Sequence, residues 1–271
     1  MGVSEATTAR YGSDLALPAE LWNETVDVLL GHRSVRAYSN EPVPEGALEV
    51  MIAAAQSAST GSNLQSWSVI AVTDPERKAR LAELGGKQGF IARAPLFLVW
   101  LTDLGRVARA AEARGMAHQA LDYLETFLMG SVDAAIAAQN AAVAAESLGL
   151  GMVYVGAMRN KPEEVAAELG LPPRTFAVFG MAVGYPDPER PAAVKPRLPL
   201  EAVLHHEQYQ ADQDTQISAY SATMAAFYAE QQMKVEGDWV EHSARRVAGP
   251  ESLAGRHRLR EALQKLGFEL I

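Results

Sequence analysis

FLMGSVDAAIAAQNAAVAAESLG, residues 127–149, is apolar around almost its whole circumference when it is read as a helix. A helix of that kind is buried on most of its sides. The pattern extends from about Ala117 to Gly149, and about 30 residues at the standard rise make a helix of roughly 45 Å. Its alanines allow other helices to approach closely. The stretch predicts either a central core helix or, as its length favours, a helix shared with a second subunit.

Four shorter apolar runs around this helix predict buried strands. They are WSVIAVT (67–73), APLFLVWLTD (94–103), GMVYVGAM (151–158) and TFAVFGMAVGY (175–185). Helices are predicted at residues 17–32, 44–58, 74–84, 161–170, 217–233 and 251–266. Residues 1–16 have the character of a loose tail, and 194–209 that of an extended arm. Strands mixed with long helices, without regular alternation, indicate one α+β domain whose helices pack on a small sheet.

The composition excludes several classes of protein. The net charge of −9 argues against a nucleic-acid partner, which requires a broad cationic surface. Cysteine is absent, so disulfides, thiolate metal sites and cysteine nucleophiles are excluded and a cytoplasmic location is expected. No membrane association is expected either, because Asp133, Gln139, Asn140 and Glu146 interrupt the most apolar window.

One cationic loop stands out in this acidic chain. GHRSVRAYSNEPVP, residues 31–44, places His32, Arg33 and Arg36 beside the hydroxyl of Ser34. Arginine forks match phosphate oxygens well, so the loop suits one phosphate group. The alternative is a solvated loop whose charges pair with acids such as Glu41. A second cationic pair, Lys195 and Arg197, lies far away in the sequence.

Other familiar sites are missing from the sequence. It has no glycine-rich dinucleotide fingerprint and no Walker loop. It also has no nucleophile elbow of the serine hydrolase type, and its histidines do not form a cluster at metal-ligand spacing. No metal site and no catalytic acid, base or nucleophile is predicted.

Three stretches together resemble the FMN-dependent NAD(P)H nitroreductase and flavin reductase superfamily. They are GHRSVRAYSNEPV (31–43), DAAIAAQNAAVAAESLGLGMVYVGAMRN (133–160), and VKPRLP (194–199) followed by LHHEQY (204–209). The resemblance covers roughly residues 22–246 and is nearest to the branch of oxygen-insensitive NADPH nitroreductases and NADPH–flavin oxidoreductases.

This resemblance implies a nitroreductase-like α+β fold with a central mixed sheet flanked by helices. It implies a homodimer with an extensive interface, built on the long helix, at which FMN is bound non-covalently. A single domain of residues 17–271 would follow the tail of residues 1–16. The C-terminal extension, from about residue 205 to 271, would form an excursion over the cofactor site.

The resemblance also assigns the FMN contacts. His32, Arg33 and Ser34 would hold the phosphate and ribityl end. Lys195 and Arg197 would join them at the phosphate, while Arg36 would lie nearer the pyrimidine edge of the flavin. The other matching positions are Ser59, Thr60, Ser62 and Gln65 in a serine-rich loop that lines the flavin across the interface, Gln88 as a hydrogen-bonding partner of the flavin, and Tyr154, Val155, Gly156 and Ala157 at a strand end near its reactive nitrogen.

Two further positions concern the reductant. Arg159 matches a family arginine near the cofactor entrance. Lys234 is the only lysine or arginine in EQQMKVEGDWVEH, residues 230–242, where relatives usually carry arginines for the ribose phosphate of NADPH. NADPH is therefore predicted as the reductant, with NADH or dual use as the alternative.

The function implied is an FMN-dependent oxidoreductase in which the chemistry takes place on FMN. Hydride would pass from NADPH to the flavin and then to a nitroaromatic, a quinone or free flavin by a ping-pong mechanism. One alternative is a flavin reductase that supplies reduced flavin to a partner monooxygenase. Another is a non-catalytic flavin-binding or redox-sensing protein.

Overall fold

The apolar runs predicted as strands pair into one sheet in the computed structural model, which describes residues 2–13 and 15–271. The strands are β1 (Trp67–Val72), β2 (Leu96–Asp103), β3 (Gly151–Val155) and β4 (Thr175–Gly184), in the spatial order β1-β2-β4-β3. Every residue of β2 is buried, as expected for a short, continuous apolar run. All the predicted strands are present, and β3 ends at Val155, before the predicted end at Met158.

The pairings within the sheet are all antiparallel. The prediction of a mixed sheet is therefore wrong for these four strands. Within the described residues, parallel pairing is limited to an isolated bridge between Ser34 and Met152. The backbone N–H of Val35 donates to the carbonyl of Met152 at 2.9 Å, which fixes this bridge. Ser34 and Val35 of the cationic loop therefore lie beside β3.

The helices predicted at 44–58, 74–84, 161–170 and 217–233 are present, with ends within about three residues of those predicted, whereas those at Gly89–Arg93, Gly105–Glu112 and Trp239–Arg246 were not predicted. The helix predicted over 251–266 is α-helical only at Leu259–Lys265, after 3-10 turns at Pro250–Leu253 and Arg256–Arg258. The helices of the structure are α1 (Val3–Tyr11), α2 (Glu24–Leu30), α3 (Ala47–Gln56), α4 (Pro75–Leu84), α5 (Gly89–Arg93), α6 (Gly105–Glu112), α7 (Leu124–Ser147), α8 (Pro162–Leu169), α9 (Asp214–Glu230), α10 (Trp239–Arg246) and α11 (Leu259–Lys265). Asn23 and Asp74 cap α2 and α4, because each side chain accepts a hydrogen bond from a backbone N–H of the first turn. The helix predicted over 17–32 is only α2 with a 3-10 turn at Ala19–Leu21 before it.

The N-terminal segment is not the loose tail that was predicted. Residues 3–11 form α1, which ends at Gly12 in the left-handed conformation. The pattern of α1 is not amphipathic, and its most informative buried residue is charged: Arg10 is 6% exposed. Sequence patterns place arginines on the surface, which explains why the helix was missed.

Helix α7 is shorter than predicted and has one uncovered face. It spans 24 residues from Leu124, since residues 119–122 form a separate 3-10 turn. Its alanines from Ala134 to Ala145 are largely buried and the helix packs against α3 and β2. On the opposite face Leu124, Leu128, Val132 and Ile136 are 41–55% exposed.

By length and composition alone, α7 could cross a membrane, which the sequence analysis did not expect. Its surroundings are those of a core helix. Asp133, near its middle, is buried and accepts hydrogen bonds from Thr60, Gly61 and Ser66. A carboxylate bonded in this way belongs to the polar framework of a fold, since ionised groups in lipid are costly.

The described residues form two compact units. The first comprises residues 1–33 and 193–253, and the second residues 34–192 and 254–271. The second unit carries the sheet, with one apolar cluster around Phe97 and another around Trp100. The first unit has its own small cluster of Tyr220, Met224 and Tyr228. The division predicted from the sequence, a tail of 1–16 and one domain of 17–271, stays a prediction.

Candidate active site

The first unit brings the two cationic segments of the sequence together. The buried guanidinium of Arg10 donates hydrogen bonds to the carbonyls of His32 at 2.6 Å and Leu30 at 2.7 Å. It also donates to the carbonyl of Lys195 at 2.9 Å. The loop that carries His32 and Arg33 and the arm that carries Lys195 and Arg197 therefore meet at one buried side chain.

Two arginines of these segments, Arg33 and Arg197, are exposed. Arg33 donates to the carbonyl of Gly31 at 3.3 Å, and Arg197 donates to the carbonyls of Lys195 at 3.1 Å and Pro196 at 3.3 Å. Within residues 2–13 and 15–271, neither arginine forms a salt bridge. The alternative pairing of Arg33 with Glu41 is therefore not found among the described residues. Cations without a carboxylate partner suit a phosphate group.

In the second unit, the bridge between Ser34 and Met152 holds the loop parallel to β3 at this point. Gly151 makes this approach possible, because a Cβ at its position would lie 2.6 Å from Cγ2 of Val35. Arg36 is exposed and its Nη1 lies 3.5 Å from the carbonyl of Ser34. Ser34 and Arg36 are thus placed along the strand that ends in the predicted flavin contacts.

At the end of β3 the chain turns sharply. Val155 is buried, and a 3-10 turn, Gly156–Arg159, carries Gly156 and Ala157. The hydroxyl of Tyr154 donates to Oε1 of Gln139 at 3.2 Å. Burial, with a smaller contribution from Glu146, raises the pKa of Tyr154 well above its usual value. Tyr154 is therefore held neutral beside α7.

Arg159 lies partly buried behind the same turn. Its guanidinium donates to the carbonyl of Val178 in β4, and burial, followed by repulsion from Arg256, lowers its pKa. A Cβ at Gly156 would lie 3.2 Å from Nη2 of Arg159. A larger residue at Gly156 would press on Arg159, so the glycine keeps the turn close to the arginine.

The serine-rich loop of the second unit has an unusual backbone. Ser62, Asn63 and Gln65 all have positive φ, between 49° and 55°. Non-glycine residues seldom adopt this conformation, and such residues concentrate at functional sites. Ser59, Ser62 and Gln65 are exposed, while Thr60 is half-buried.

Asp133 of α7 holds the serine-rich loop in place through three hydrogen bonds. Its carboxylate accepts from the hydroxyl of Thr60 at 2.6 Å, the backbone N–H of Gly61 at 2.9 Å and the hydroxyl of Ser66 at 3.2 Å. The hydroxyl of Thr60 in turn accepts from the N–H of Gln65 at 3.1 Å. Sequence reasoning treated Asp133 only as an interruption of an apolar window. A lone acid in a helix of alanines was the signal that it has a buried partner.

Arg106 fixes the far end of the loop. Its guanidinium donates to the carbonyl of Gln65 at 2.9 Å and the hydroxyl of Ser68 at 2.7 Å. A groove of about 330 Å³ opens there, lined by Thr60, Gln65, Trp67 and Arg106, among others. Arg106 was not singled out from the sequence, where nothing distinguishes it from other surface arginines.

The remaining predicted residues are Gln88 in the second unit and Lys234 in the first. Gln88 is half-buried, and its amide donates to the carbonyl of Gly85 at 2.9 Å, so part of its hydrogen-bonding capacity is used within the loop. Lys234, in the first unit, is exposed beyond the end of α9.

Comparison with known proteins decides the family. The sequence model described as the nitroreductase family matches residues 29–185, and that of its C-terminal domain matches residues 195–271. The chain belongs to the nitroreductase family. The resemblance inferred from the sequence motifs is thereby confirmed, and so is the nitroreductase-like fold.

Named relatives within this family are reductases. The chain is 36% identical over 245 residues to an NADPH-dependent oxidoreductase of Staphylococcus saprophyticus, covering 89% of this chain and 96% of that protein. It is 38% identical over 251 residues to an FMN reductase [NAD(P)H] of Bacillus subtilis, covering 92% and 99%.

A solved structure shows the same fold. NADPH:FMN oxidoreductase of Vibrio harveyi, determined in complex with NAD⁺, has a TM-score of 0.81 and 36% identity, covering 91% of this chain and 99% of that one. The predictions of an oxidoreductase enzyme that uses FMN and NADPH agree with the names of these nitroreductase-family relatives.

Proposed function

We propose that this nitroreductase-family chain is an FMN-dependent oxidoreductase that carries electrons from NADPH to a nitroaromatic, a quinone or free flavin. The observation that carries the proposal is the meeting of His32 and Lys195 at the guanidinium of Arg10. It joins the backbone of two segments that carry His32, Arg33, Lys195 and Arg197, in a chain whose net charge is −9. Such a local concentration of donors is what the phosphate of FMN requires.

The residues fit FMN at its phosphate end. His32, Arg33, Lys195 and Arg197 supply the cationic donors, and Ser34 supplies a hydroxyl. Arg36 is proposed to lie nearer the pyrimidine edge. A cation there favours the reduced flavin, because negative charge develops at that edge on reduction.

The remaining flavin contacts are proposed from the second unit. The rigid loop with Ser59, Thr60, Ser62 and Gln65 would exclude water from one side of the flavin, and the loop of Gln88 would supply a further hydrogen bond. The backbone of Tyr154, Val155, Gly156 and Ala157 can approach closely because Gly156 has no side chain.

When bound, FMN supplies two-electron transfer between a nicotinamide and an oxidant. The protein therefore needs to bind and orient, and no side-chain nucleophile or metal is proposed. We propose ping-pong kinetics, in which the oxidised nicotinamide leaves before the oxidant occupies the same position. Arg159 and Lys234 are proposed to contact NADPH, with NADH as an alternative reductant.

The exposed face of α7 supports a homodimer. Leu124, Leu128, Val132 and Ile136 recur every four residues and are 41–55% exposed, so they form one apolar stripe along the helix. A stripe of this kind marks a protein–protein interface. We propose that a second copy covers it and that the loop around Thr60 faces the partner's flavin. The extension from about residue 205 to 271 is proposed as the excursion over the cofactor site.

A cytoplasmic location is proposed from the absence of cysteine and the use of NADPH, with no membrane or nucleic-acid partner.

The class of electron acceptor can be tested by measuring NADPH oxidation with a nitroaromatic, a quinone or added FMN. Turnover with the first two and a ping-pong pattern would support the proposal. Saturable turnover with FMN alone would favour a flavin reductase that supplies a monooxygenase. No turnover by a flavin-loaded protein would favour the non-catalytic alternative.

A further inference from the structure

Arg10 lies in a part of the chain that neither family model matches. The two matches span residues 29–185 and 195–271, so α1 lies outside both. The guanidinium is nevertheless the group at which the proposed phosphate-binding segments meet. Its own backbone completes the arrangement, because the N–H of Arg197 donates to the carbonyl of Arg10 at 2.8 Å.

The side chain is suited to this position. A guanidinium has five N–H donors in a rigid plane, so one arginine can bind several carbonyls of different segments. The carbonyl of Leu30 belongs to the last turn of α2, where a cation also complements the helix dipole. Arg10 thereby ties the end of α2, the loop at His32 and the arm at Lys195 to one another.

Helix α1 is itself well anchored within the first unit. Gly12 terminates it with a φ of 75°, and its N–H donates to the carbonyl of Thr8 at 2.8 Å. A Cβ at Gly12 would lie 2.7 Å from Cγ2 of Thr223 in α9. The end of α1 that carries Arg10 is therefore held close to α9.

We infer that Arg10 is a positioning residue for the phosphate of FMN and that α1 is a phosphate clamp built onto the family fold. This inference rests on the proposed function. Arg10 fixes the backbone of His32 and Lys195, and so orders, before the ligand arrives, the two segments that carry His32, Arg33, Lys195 and Arg197. Donors ordered before binding lose less entropy when the ligand arrives.

The clamp acts on the phosphate end of the ligand and leaves the ring end to other residues. Riboflavin has the same ring and ribityl chain as FMN but no phosphate. Loss of the clamp should therefore lower the affinity for FMN and leave that for riboflavin unchanged. A purely structural role for Arg10 would lower both affinities by the same factor.

The test compares apoprotein titrations with FMN and with riboflavin for the wild type, Arg10→Lys, Arg10→Gln and the control Glu5→Gln. Glu5 is an exposed residue of the same helix. We expect Arg10→Lys to weaken FMN binding by about tenfold, because a single ammonium cannot hold three carbonyls in the same plane. Arg10→Gln, which has no charge, should weaken it further, while Glu5→Gln should match the wild type.

Thermal melting and sedimentation show whether each variant is folded. Equal losses of FMN and riboflavin affinity, or no loss in either Arg10 variant, would overturn the inference while the proposed function stands. If Arg10→Gln does not fold, the comparison rests on Arg10→Lys, which keeps the charge. Failure of the wild type to bind FMN would overturn both the inference and the proposed function.

Discussion

The carboxylate of Asp133 accepts a hydrogen bond from the hydroxyl of Thr60 at 2.6 Å and so ties the buried side of α7 to the serine-rich loop. The same carboxylate accepts from Gly61 and Ser66. The left-handed residues Ser62 and Gln65 lie between these anchors. A strained loop persists only where its surroundings hold it, and here Asp133 holds one side of the loop while Arg106 binds the carbonyl of Gln65 at its far end.

Asp133→Ala should loosen this loop. It leaves two hydroxyls and one N–H without their acceptor, which costs about 2 kcal/mol of unfolding free energy or more. Hydrogen exchange at the amides of Gly61 and Gln65 should speed up at least tenfold. Ser131→Ala is the matched control, because its hydroxyl lies 2.9 Å from that of Thr102 and does not contact the loop. Equal exchange rates in Asp133→Ala and the wild type would show that other contacts hold the loop.

Arg33→Ala combined with Lys195→Ala should abolish FMN retention while the protein remains folded. Both charges are assigned to one phosphate, and both side chains are exposed, so their removal leaves the core intact. Flavin content after gel filtration measures the effect. Arg190→Ala removes an exposed arginine that pairs with Asp187 and should keep its flavin. A double variant that purifies with full flavin would show that the phosphate is bound elsewhere.

Lys234→Ala should raise the KM for NADPH far more than the KM for NADH. Only NADPH has the 2′-phosphate that a cation at this position would bind. Steady-state kinetics with both nucleotides measures the difference. The control is Lys87→Ala, an exposed lysine that lies 3.8 Å from Glu83. A parallel change in the two KM values would remove Lys234 from phosphate recognition.

Leu128→Glu should weaken the proposed homodimer. The side chain is 55% exposed in the single chain, and a charge in a buried apolar interface is costly. Sedimentation should show a shift toward the monomer, and FMN should be lost with it. Val247→Glu places the same charge at a valine that is 78% exposed, outside α7. A Leu128→Glu dimer as tight as the wild type would exclude this face as the interface.

The lowered pKa of Glu163 predicts that the free energy of unfolding depends on pH. Burial acts to raise its pKa, but its own backbone N–H, Lys265 and Arg258 outweigh burial and lower the pKa below its usual value. A lowered pKa means that the stabilisation is complete above about pH 4.5 and is lost as the pH falls through the folded-state value. Glu163→Gln should cost about 0.5 kcal/mol at pH 7 and less at pH 3. Glu164→Gln, at the more exposed neighbour that pairs with Lys161, is the control. An equal cost at both pH values would contradict the assignment.

The strands and most of α7 could be predicted because each is a largely apolar run of residues. Continuous apolar runs such as 94–103 become buried strands whatever their partners, and alanine-rich segments become closely packed helices. Strand pairing does not follow from such runs. The antiparallel order β1-β2-β4-β3 depends on contacts between segments that are distant in the chain.

The residues assigned to FMN were predicted from family motifs. The buried residues that hold their segments in place, Arg10 and Asp133, were not predicted. Exposed basic side chains such as Arg33 and Arg197 belong to short patterns that can be recognised. Arg10 and Asp133 act through buried charges whose partners lie far away in the sequence. A local sequence pattern predicts that Arg10 lies on the surface and that Asp133 interrupts an apolar helix. Only the folded chain shows which backbone and side-chain groups these two residues bind.

The most direct test of the proposed function is an anaerobic titration of the purified protein, followed by visible absorption, first with NADPH and then with NADH. We predict a bound flavin whose absorption is bleached by NADPH in a one-to-one ratio. A protein that is colourless and cannot be reconstituted with FMN, or a bound flavin that neither nucleotide bleaches, would contradict it.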